Sequence, residues 1–360
     1  MQLNLLVVAG DGIGQEVTCE AVRVLERVAQ KFHHTLTIRE GLIGGAAIHK
    51  TGSPFPPETE QMAREADATL LGAVGLPEFD NAPPAQRPEK GLLGIRKALG
   101  LFANLRPVRA YPSLLETSPL KNGIVEGTDF LIVRELTGGL YYGQPRGITG
   151  DGPEARGVNT MAYTRAEIAR VARLAFQLAR GRRKKLTSVD KSNVLEVSQF
   201  WRKVVLEVAP EFPDVALDHL LVDNCAMQLV LNPRRFDVVL TENTFGDILS
   251  DEGAVLAGSI GMLPSASIGE RKPSGLYAGL YEPVHGSAPD IAGQNKANPL
   301  GAIGSIAAML DYTFGLKEEA AAVNSAIEKV LASGRLTADL KPAGAPATTR
   351  QMGDAVCEAI

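Results

Sequence analysis

A strand, a helix and a second strand follow one another near the start of the chain, and this order most restricts its fold. Residues 3–9 and 68–71 are short apolar runs that each end at a glycine, whereas residues 15–31 carry apolar side chains at helical period. Strands that alternate with helices are typical of parallel sheets covered by helices. The pattern therefore predicts an α/β fold.

Four later apolar runs continue this pattern, and each ends beside a candidate functional side chain. The predicted strands comprise residues 131–134, 185–189, 217–222 and 236–240. Ligands of open α/β sheets bind beyond the carboxyl ends of the strands. We therefore expect the functional residues to follow these strands.

A helix is predicted to follow Thr164, because Thr164 and Glu167 form a capping-box sequence. Gly181 marks its end, within a basic run from Arg180 to Lys185. That run could bind an anionic partner, but cations at the end of a helix stabilise the helix itself. We favour this structural explanation.

Length and composition indicate a two-lobed protein without nucleic acid or membrane partners. A chain of 360 residues exceeds what one hydrophobic core usually organises, and a cleft between lobes is a natural active site. The formal net charge is only -4. Residues 5–9 indicate a first strand rather than a signal peptide, and the apolar stretch 253–263 is too short to cross a bilayer. Three widely spaced cysteines without C-x-x-C spacing predict reduced thiols and a cytoplasmic location.

Three aspartates suggest a metal site. Asp247 and Asp251 are spaced i, i+4, which places them on one face of a helix, and Asp223 follows an apolar run. Carboxylate oxygens suit hard cations such as Mg²⁺ or Mn²⁺. Aspartates in the first turn of a helix, however, also complement its dipole without binding anything.

Four segments together resemble the isocitrate and 3-isopropylmalate dehydrogenase family of β-decarboxylating dehydrogenases. Residues 243–252 read NTFGDILSDE, and the other three segments read RELTGGLY at 134–141, VDKSNV at 189–194 and YEPVHGSAPDIAG at 281–293. Their order and approximate spacing match the family, and the resemblance extends from residue 6 to about residue 353.

The resemblance implies a two-domain α/β fold with an open mixed or parallel sheet and an active site in the interdomain cleft. Residues 1–101 and 258–360 would form a discontinuous cofactor-binding domain around a second domain of residues 102–257. Residues 138–163, rich in glycine and polar side chains, would form an arm that joins a partner subunit. The expected assembly is a homodimer with shared active sites. One Mg²⁺ or Mn²⁺ per site would be held by Asp247, Asp251 and Asp223, the last from the other subunit.

The glycine-rich turn at residues 10–14 does not fit a Rossmann fingerprint, because Gln15 stands where the third glycine would fall. The resemblance moves the dinucleotide to residues 282–298. Asp290 can accept hydrogen bonds from the adenosine ribose and would repel a 2′-phosphate, while NADP-using relatives place Lys and Tyr at positions 290 and 291. NAD is therefore the expected cofactor. Its predicted contacts are Glu282, His285, Gly286, Ser287, Ala288, Asp290, Ile291 and Asn298.

The resemblance implies that Arg96, Arg106 and Arg134 bind a dicarboxylate substrate. Their planar guanidinium groups fit carboxylates. Isocitrate enzymes carry Ser and Asn ahead of the first of these arginines, whereas this chain has Leu92 where that Asn would be. An apolar wall suits an isopropyl group, although Leu92 and Leu93 would also fit as core leucines. The predicted substrate contacts are Glu89, Leu92, Leu93, Arg96, Arg106, Arg134, Val194 and Asp223.

The expected reaction is NAD-dependent oxidative decarboxylation of 3-isopropylmalate to 2-oxoisocaproate and CO₂, a step of leucine biosynthesis. Lys191 would act as the base and Tyr141 as the acid. The alternatives within the family are tartrate, D-malate and homoisocitrate dehydrogenases. A metal-dependent hydrolase and a non-catalytic nucleotide-binding protein are alternatives from other classes; the latter is disfavoured because no predicted metal or acid–base residue is missing.

A short repeat at residues 275–281, GLYAGLY, looks like an insertion relative to the family. Because long loops cost little stability, we expect it to form a surface loop.

Overall fold

The structure is a computed structural model that describes residues 1–83, 86–272 and 276–360. The strands are β1 (Gln2–Gly10), β2 (Thr35–Glu40), β3 (Ala68–Ala73), β4 (Ala103–Arg109), β5 (Asp129–Glu135), β6 (Gly147–Thr149), β7 (Arg156–Val158), β8 (Lys185–Asp190), β9 (Ala216–Leu221), β10 (Val238–Thr241), β11 (Pro264–Arg271) and β12 (Tyr277–Pro283). The α-helices are α1 (Gly14–Lys31), α2 (Gly44–Thr51), α3 (Pro57–Glu65), α4 (Glu89–Ala98), α5 (Asn122–Val125), α6 (Arg165–Arg180), α7 (Glu196–Val208), α8 (Val222–Leu231), α9 (Asn243–Leu256), α10 (Leu300–Tyr312), α11 (Lys317–Ala332) and α12 (Thr349–Ala359). The predicted α/β class is confirmed.

The chain divides into two compact units. The first contains Met1–Leu101, Ala110–Pro119 and Ala257–Ile360, and the second contains Phe102–Arg109 and Leu120–Leu256. Residues 110–119, which we assigned to the second domain, group with the first unit.

In the first unit the strands lie in the order β2-β1-β3-β12-β11, and four of them run parallel while β11 runs antiparallel to β12. Every residue of β3 is buried, as expected for a strand of a parallel sheet with both faces covered. Helix α1 buries Val17, Ala21, Val24 and Val28 along one face, which packs with α10 and α12.

The second unit repeats this arrangement with the order β4-β5-β10-β8-β9. Strands β5, β10, β8 and β9 are parallel, and β4 pairs antiparallel with β5. The carboxyl ends of β5, β10 and β8 therefore meet along one edge. All four strands predicted in this region are confirmed.

Helix α6 begins with the predicted capping box, because the Thr164 hydroxyl accepts from the Glu167 amide while the Glu167 carboxylate accepts from the Thr164 amide. The basic run after it is engaged in ion pairs: Arg180 with Asp214, and Arg182 with Asp237. The structural explanation of this run is supported.

The segment predicted as an arm carries the antiparallel hairpin of β6 and β7, whose residues are exposed apart from a half-buried Val158. Ile148 is 83% exposed at its centre. A hairpin with so little buried surface is marginal on its own.

The expected surface loop at residues 275–281 is wrong for the part that the structure describes. Residues 273–275, including the first glycine of the repeat, lie outside the described residues. Residues 277–283 form β12, in which Leu280 and Tyr281 are fully buried. Strand pairing with both β3 and β11 accounts for this burial, because a strand between two neighbours becomes part of the core.

No helix among the described residues is long and apolar enough to cross a membrane. Cys19, Cys225 and Cys357 are free thiols, as predicted.

Candidate active site

Two arginines and two aspartates meet in the second unit, where β4 and β5 lie beside α9. Arg134 binds a carboxylate oxygen of Asp247, and Arg106 lies 3.2 Å from Asp251 and 3.8 Å from Asp247. Both arginines are buried, whereas the side chain of Asp251 is 63% exposed. The two aspartates lie on one helix as predicted, but no acidic residue occupies the first turn of α9, so the helix-dipole explanation does not apply to them.

Tyr141 joins this group through its hydroxyl, which donates to Asp247 at 2.8 Å. Its ring lies 5.8 Å from the guanidinium carbon of Arg134. Partial burial, followed by the hydrogen bond to the Asp247 carboxylate, raises the pKa of Tyr141. A phenol with a raised pKa stays protonated at neutral pH and can serve as a proton donor.

Lys191 and Asp223 form a second pair in this unit. Lys191 follows β8, Asp223 lies in the first turn of α8, and the ammonium donates to the carboxylate at 2.6 Å. This hydrogen bond lowers the pKa of Asp223. Val194, three residues beyond Lys191, is 61% exposed.

Within one chain, no three His, Cys, Asp or Glu side chains among the described residues are arranged to hold a metal ion. Asp247 and Asp251 supply two carboxylates on one helix face, and Asp223 instead pairs with Lys191. Oxygen donors of this kind fit Mg²⁺ or Mn²⁺. Asp247 and Asp251 on α9 thus fit as two members of the ligand set of the expected cation.

Helix α4 presents the predicted substrate residues of the first unit on one face, because they are spaced i, i+3, i+4 and i+7. Gly91 and Ile95 on another face are buried. Leu92 is half-buried and Leu93 is 36% exposed. Interpreting both as core leucines is therefore wrong, and their side chains remain accessible to a ligand.

Arg96, on the same helix, forms a buried ion pair with Glu282 at 2.6 Å. The Nε atom of Arg96 is buried and has no hydrogen-bond partner among the described residues. Glu282 lies in β12, at the start of the predicted cofactor segment. The pair thus joins the predicted substrate helix to the predicted cofactor segment.

The cofactor segment also contains a buried polar atom that lacks a partner. His285 is 9% exposed; its Nδ1 lies 2.9 Å from the Gly286 carbonyl, while Nε2 is buried without a hydrogen bond to any described residue. Burial lowers the pKa of His285, which favours the neutral imidazole. A buried nitrogen of this kind fits a polar ligand such as a dinucleotide.

The remaining predicted cofactor residues differ in accessibility. Gly286 and Asp290 are exposed, Ala288 and Ile291 are half-buried, and Ser287 is buried. Asn298 is buried and already engaged, because its carbonyl accepts from the Leu300 amide at 3.0 Å and its amide donates to Asp339 at 3.0 Å. A cofactor contact by this side chain would have to share these partners.

Asp11 organises the glycine-rich turn at residues 10–14, which does not fit a Rossmann fingerprint. Its carboxylate is 3% exposed and accepts the amides of Gly45, Ala46 and Gly75, each at 2.8 Å. The adjacent Ile13 amide donates to the Ser287 carbonyl at 2.8 Å. The turn therefore fixes part of the cofactor segment.

Sequence reasoning missed Asp11 and three residues near Arg134. These are Asn243, whose side-chain oxygen accepts from Arg134, and Tyr163 and Glu242, which are hydrogen-bonded to each other. The evident signal around Asp11 is the glycines of its turn. Asn243 lies within the segment 243–252, where the evident signal is the spacing of the aspartates. Tyr163 ends a glycine-rich segment, and no local signal shows that it reaches the start of α9.

The chain is similar to known proteins over nearly its whole length. The profile of the family described as isocitrate/isopropylmalate dehydrogenase matches residues 4–356. A 3-isopropylmalate dehydrogenase from Geobacillus kaustophilus is 59% identical over 341 residues, which cover 95% of this chain and 91% of the relative. That from Halalkalibacterium halodurans is 56% identical over 100% of this chain and 98% of the relative.

Solved structures show the same similarity in three dimensions. An isocitrate dehydrogenase from Methylococcus capsulatus matches with a TM-score of 0.86 and 33% identity, covering 99% of both chains. A beta-decarboxylating dehydrogenase from Thermococcus kodakarensis matches with a TM-score of 0.80 and 36% identity, covering 99% of this chain and 96% of that one.

Proposed function

Since the chain belongs to the isocitrate/isopropylmalate dehydrogenase family, we propose that it catalyses the NAD-dependent oxidative decarboxylation of 3-isopropylmalate to 2-oxoisocaproate and CO₂. Full-length relatives with 53–59% identity are named for this activity. The observation that carries the choice of substrate is the face of α4, where accessible leucines stand between Glu89 and Arg96. An apolar surface beside an arginine suits a carboxylate that bears an isopropyl group.

Arg106, Arg134 and Arg96 bind the substrate carboxylates. In the chain alone, the first two are neutralised by Asp247 and Asp251, and the third by Glu282. When the aspartates bind a cation, the substrate carboxylates can replace them as acceptors of the arginine hydrogen bonds. The arrangement thus keeps buried guanidinium groups paired both before and after binding.

The divalent cation would be held by Asp247 and Asp251 together with Asp223 of the partner subunit, and when bound it supplies Lewis-acid stabilisation of negative charge on the C2 oxygen. Lys191, also from the partner, would accept the proton of the C2 hydroxyl in its neutral amine form and become an ammonium. NAD supplies the hydride acceptor. After CO₂ has left, Tyr141 would donate its phenolic proton to carbon, since a phenol is protonated at neutral pH.

Preference for NAD rests on the exposed carboxylate of Asp290. A carboxylate accepts hydrogen bonds from ribose hydroxyls but repels the 2′-phosphate of NADP. The neutral, partly unpartnered His285 supplies a further contact within the same segment.

Dimer formation is supported by apolar side chains that α8 and α9 leave exposed. These are Met227, Val230, Leu231, Ile248 and Val255, with exposed fractions between 40% and 62%. Surfaces of this kind mark interaction sites on soluble proteins. A second copy of the chain would cover them and bring its Lys191 and Asp223 to the first copy's aspartates.

The substrate assignment is tested by Leu92→Ala. Lost apolar contact in a pocket is worth about 1 to 3 kcal/mol, so kcat/KM for 3-isopropylmalate should fall roughly tenfold to two-hundredfold. Oxidation of D-malate, which carries no group there, should hardly change, because the malate-binding arginines are untouched. Leu99→Ala, a change to a half-buried leucine just after α4, is the matched control for general loss of packing. Equal losses on both substrates would refute the pocket.

A further inference from the structure

We propose that Tyr163 and Glu242 form a positioning pair that sets the orientation of the substrate arginine Arg134 and the proton donor Tyr141. This inference rests on the proposed function and deepens it. Neither residue of the pair contacts the expected substrate directly; both act through Asn243 and through the turn that precedes Tyr141.

The Tyr163 hydroxyl is used twice. It accepts a hydrogen bond from the backbone amide of Asn243 at 3.0 Å and donates to Oε2 of Glu242 at 3.3 Å. Its ring packs edge-on against Trp201, with centroids 5.4 Å apart and planes at 69°. The ring is therefore held on one side by an indole and on the other by two polar partners at the start of α9.

Glu242 directly precedes α9 and is 3% exposed. Its Oε1 accepts from the Phe245 amide, which is one of the free donors in the first helical turn. Oε2 receives the Tyr163 hydroxyl. Because the same helix carries Asp247, the pair ties the end of the arm segment to the helix that bears the metal-binding aspartates.

Asn243 transmits this arrangement to Arg134. Its side-chain oxygen accepts from both Nε and Nη2 of Arg134, at 3.0 and 2.7 Å, and its amide donates to the Gly138 carbonyl at 3.1 Å. One buried side-chain amide thus fixes the guanidinium plane, and Nη1 binds a carboxylate oxygen of Asp247. A shift of the Asn243 backbone would rotate that plane.

The Tyr163 ring also shapes the turn that leads to Tyr141. A Cβ atom at Gly138 would overlap the ring, and one at Gly139 would lie 2.5 Å from the Tyr163 hydroxyl oxygen. Gly139, with φ of 74°, donates its amide to the Ala162 carbonyl at 3.1 Å. A 3-10 turn from Gly139 to Tyr141 begins here, so the ring fixes the base of the segment that carries the phenol of Tyr141.

Tyr163→Phe removes only the hydroxyl and keeps the ring against Trp201 and the glycine turn. Because misplacement of about 1 Å can cost about a hundredfold in rate, we expect kcat/KM for 3-isopropylmalate to fall about 10- to 100-fold. The KM for NAD should stay within about twofold, since the predicted cofactor residues belong to the other unit. D-malate oxidation should fall by the same factor, because Arg134 binds the malate portion common to both substrates. Tyr277→Phe, which removes the same atom from a strand of the first unit, is the control.

A double-mutant cycle tests the pairing. Glu242→Ala should reproduce the loss seen with Tyr163→Phe, and the double variant should be no worse than the more damaged single variant. Additive losses, or Tyr163→Phe with unchanged kinetics and only a lower Tm, would overturn the proposal. The Arg134 Nε–H resonance in NMR spectra reports the positioning without turnover: it should shift or broaden in Tyr163→Phe, and an unchanged resonance would also overturn it. Failure of the proposed function would give a different result, because the wild-type protein would then form no NADH from 3-isopropylmalate.

Discussion

Asp11→Asn is predicted to loosen two backbone segments at once, the start of α2 and the turn after β3. The Asp11 carboxylate is buried and accepts three amides at 2.8 Å, with Gly45 and Gly75 on one oxygen and Ala46 on the other. An asparagine is nearly the same size, but only one of its two terminal atoms is an acceptor. The substitution therefore leaves one amide facing an NH₂ group and turns the remaining charge-assisted hydrogen bonds into neutral ones.

The magnitude follows from these contacts. An unsatisfied buried donor costs about 1 to 3 kcal/mol, and a neutral hydrogen bond is weaker than a charged one by about 1 kcal/mol. Because two hydrogen bonds are weakened in this way, the free energy of local opening should drop by about 3 to 5 kcal/mol, which corresponds to amide exchange about 160- to 5000-fold faster. The KM for NAD should rise as well, because the same turn holds the Ser287 carbonyl through Ile13.

Hydrogen–deuterium exchange measured by mass spectrometry can detect this change. Peptides that contain residues 44–46 and 75 should lose protection in Asp11→Asn, while peptides from α6, in the second unit, should not change. Asp151→Asn, the same substitution at an exposed position, is the control. Unchanged protection around residues 44–46 would refute the role assigned to this carboxylate.

Three further predictions concern the cofactor, the shared site and the thiols. Asp290→Lys combined with Ile291→Tyr should shift the NADP to NAD ratio of kcat/KM upward, since a repulsion is replaced by a cation; an unchanged ratio would place the adenosine ribose elsewhere. Lys191→Ala and Asp247→Ala homodimers should each be nearly inactive, but mixed dimers should regain about one working site in two, because both lesions then fall in one site; no recovery after subunit exchange, verified by native mass spectrometry, would argue for a site within one chain. Burial raises the pKa of Cys225 to about 12, so at pH 8 this thiol should resist alkylation until the protein unfolds, and rapid labelling of the native protein would contradict its burial.

Local patterns in the sequence predicted much of the fold. The strands β5, β8, β9 and β10 and the capping box of α6 follow from apolar runs and from two side chains three residues apart. Residues 277–281 were misjudged, because a short repeat carries no information about the strands that will flank it. Their burial depends on β3, about two hundred residues earlier in the chain.

The site was predictable to the extent that its residues lie in recognisable segments. Asp247, Asp251 and Arg134 were found in this way, and the structure brings them together. The contribution of Tyr163 was not predicted, because its hydroxyl binds the backbone amide of Asn243, eighty residues further along the chain. The buried carboxylate of Asp11 was missed for a similar reason: its three partners lie in the first turn of α2 and just after β3, which only the folded chain brings together.

The central claim is tested most directly by the stoichiometry of the reaction. Purified protein with Mg²⁺, NAD and 3-isopropylmalate should form one NADH and one CO₂ for each 2-oxoisocaproate, measured by absorbance, released CO₂ and mass spectrometry in the same samples. Exhaustive chelation should abolish all three products, and Mg²⁺ or Mn²⁺ should restore them. The same assay with isocitrate, D-malate and tartrate, each with NAD and NADP, should give lower kcat/KM values in every case. A higher value for D-malate or tartrate, or product release without NADH, would contradict the account.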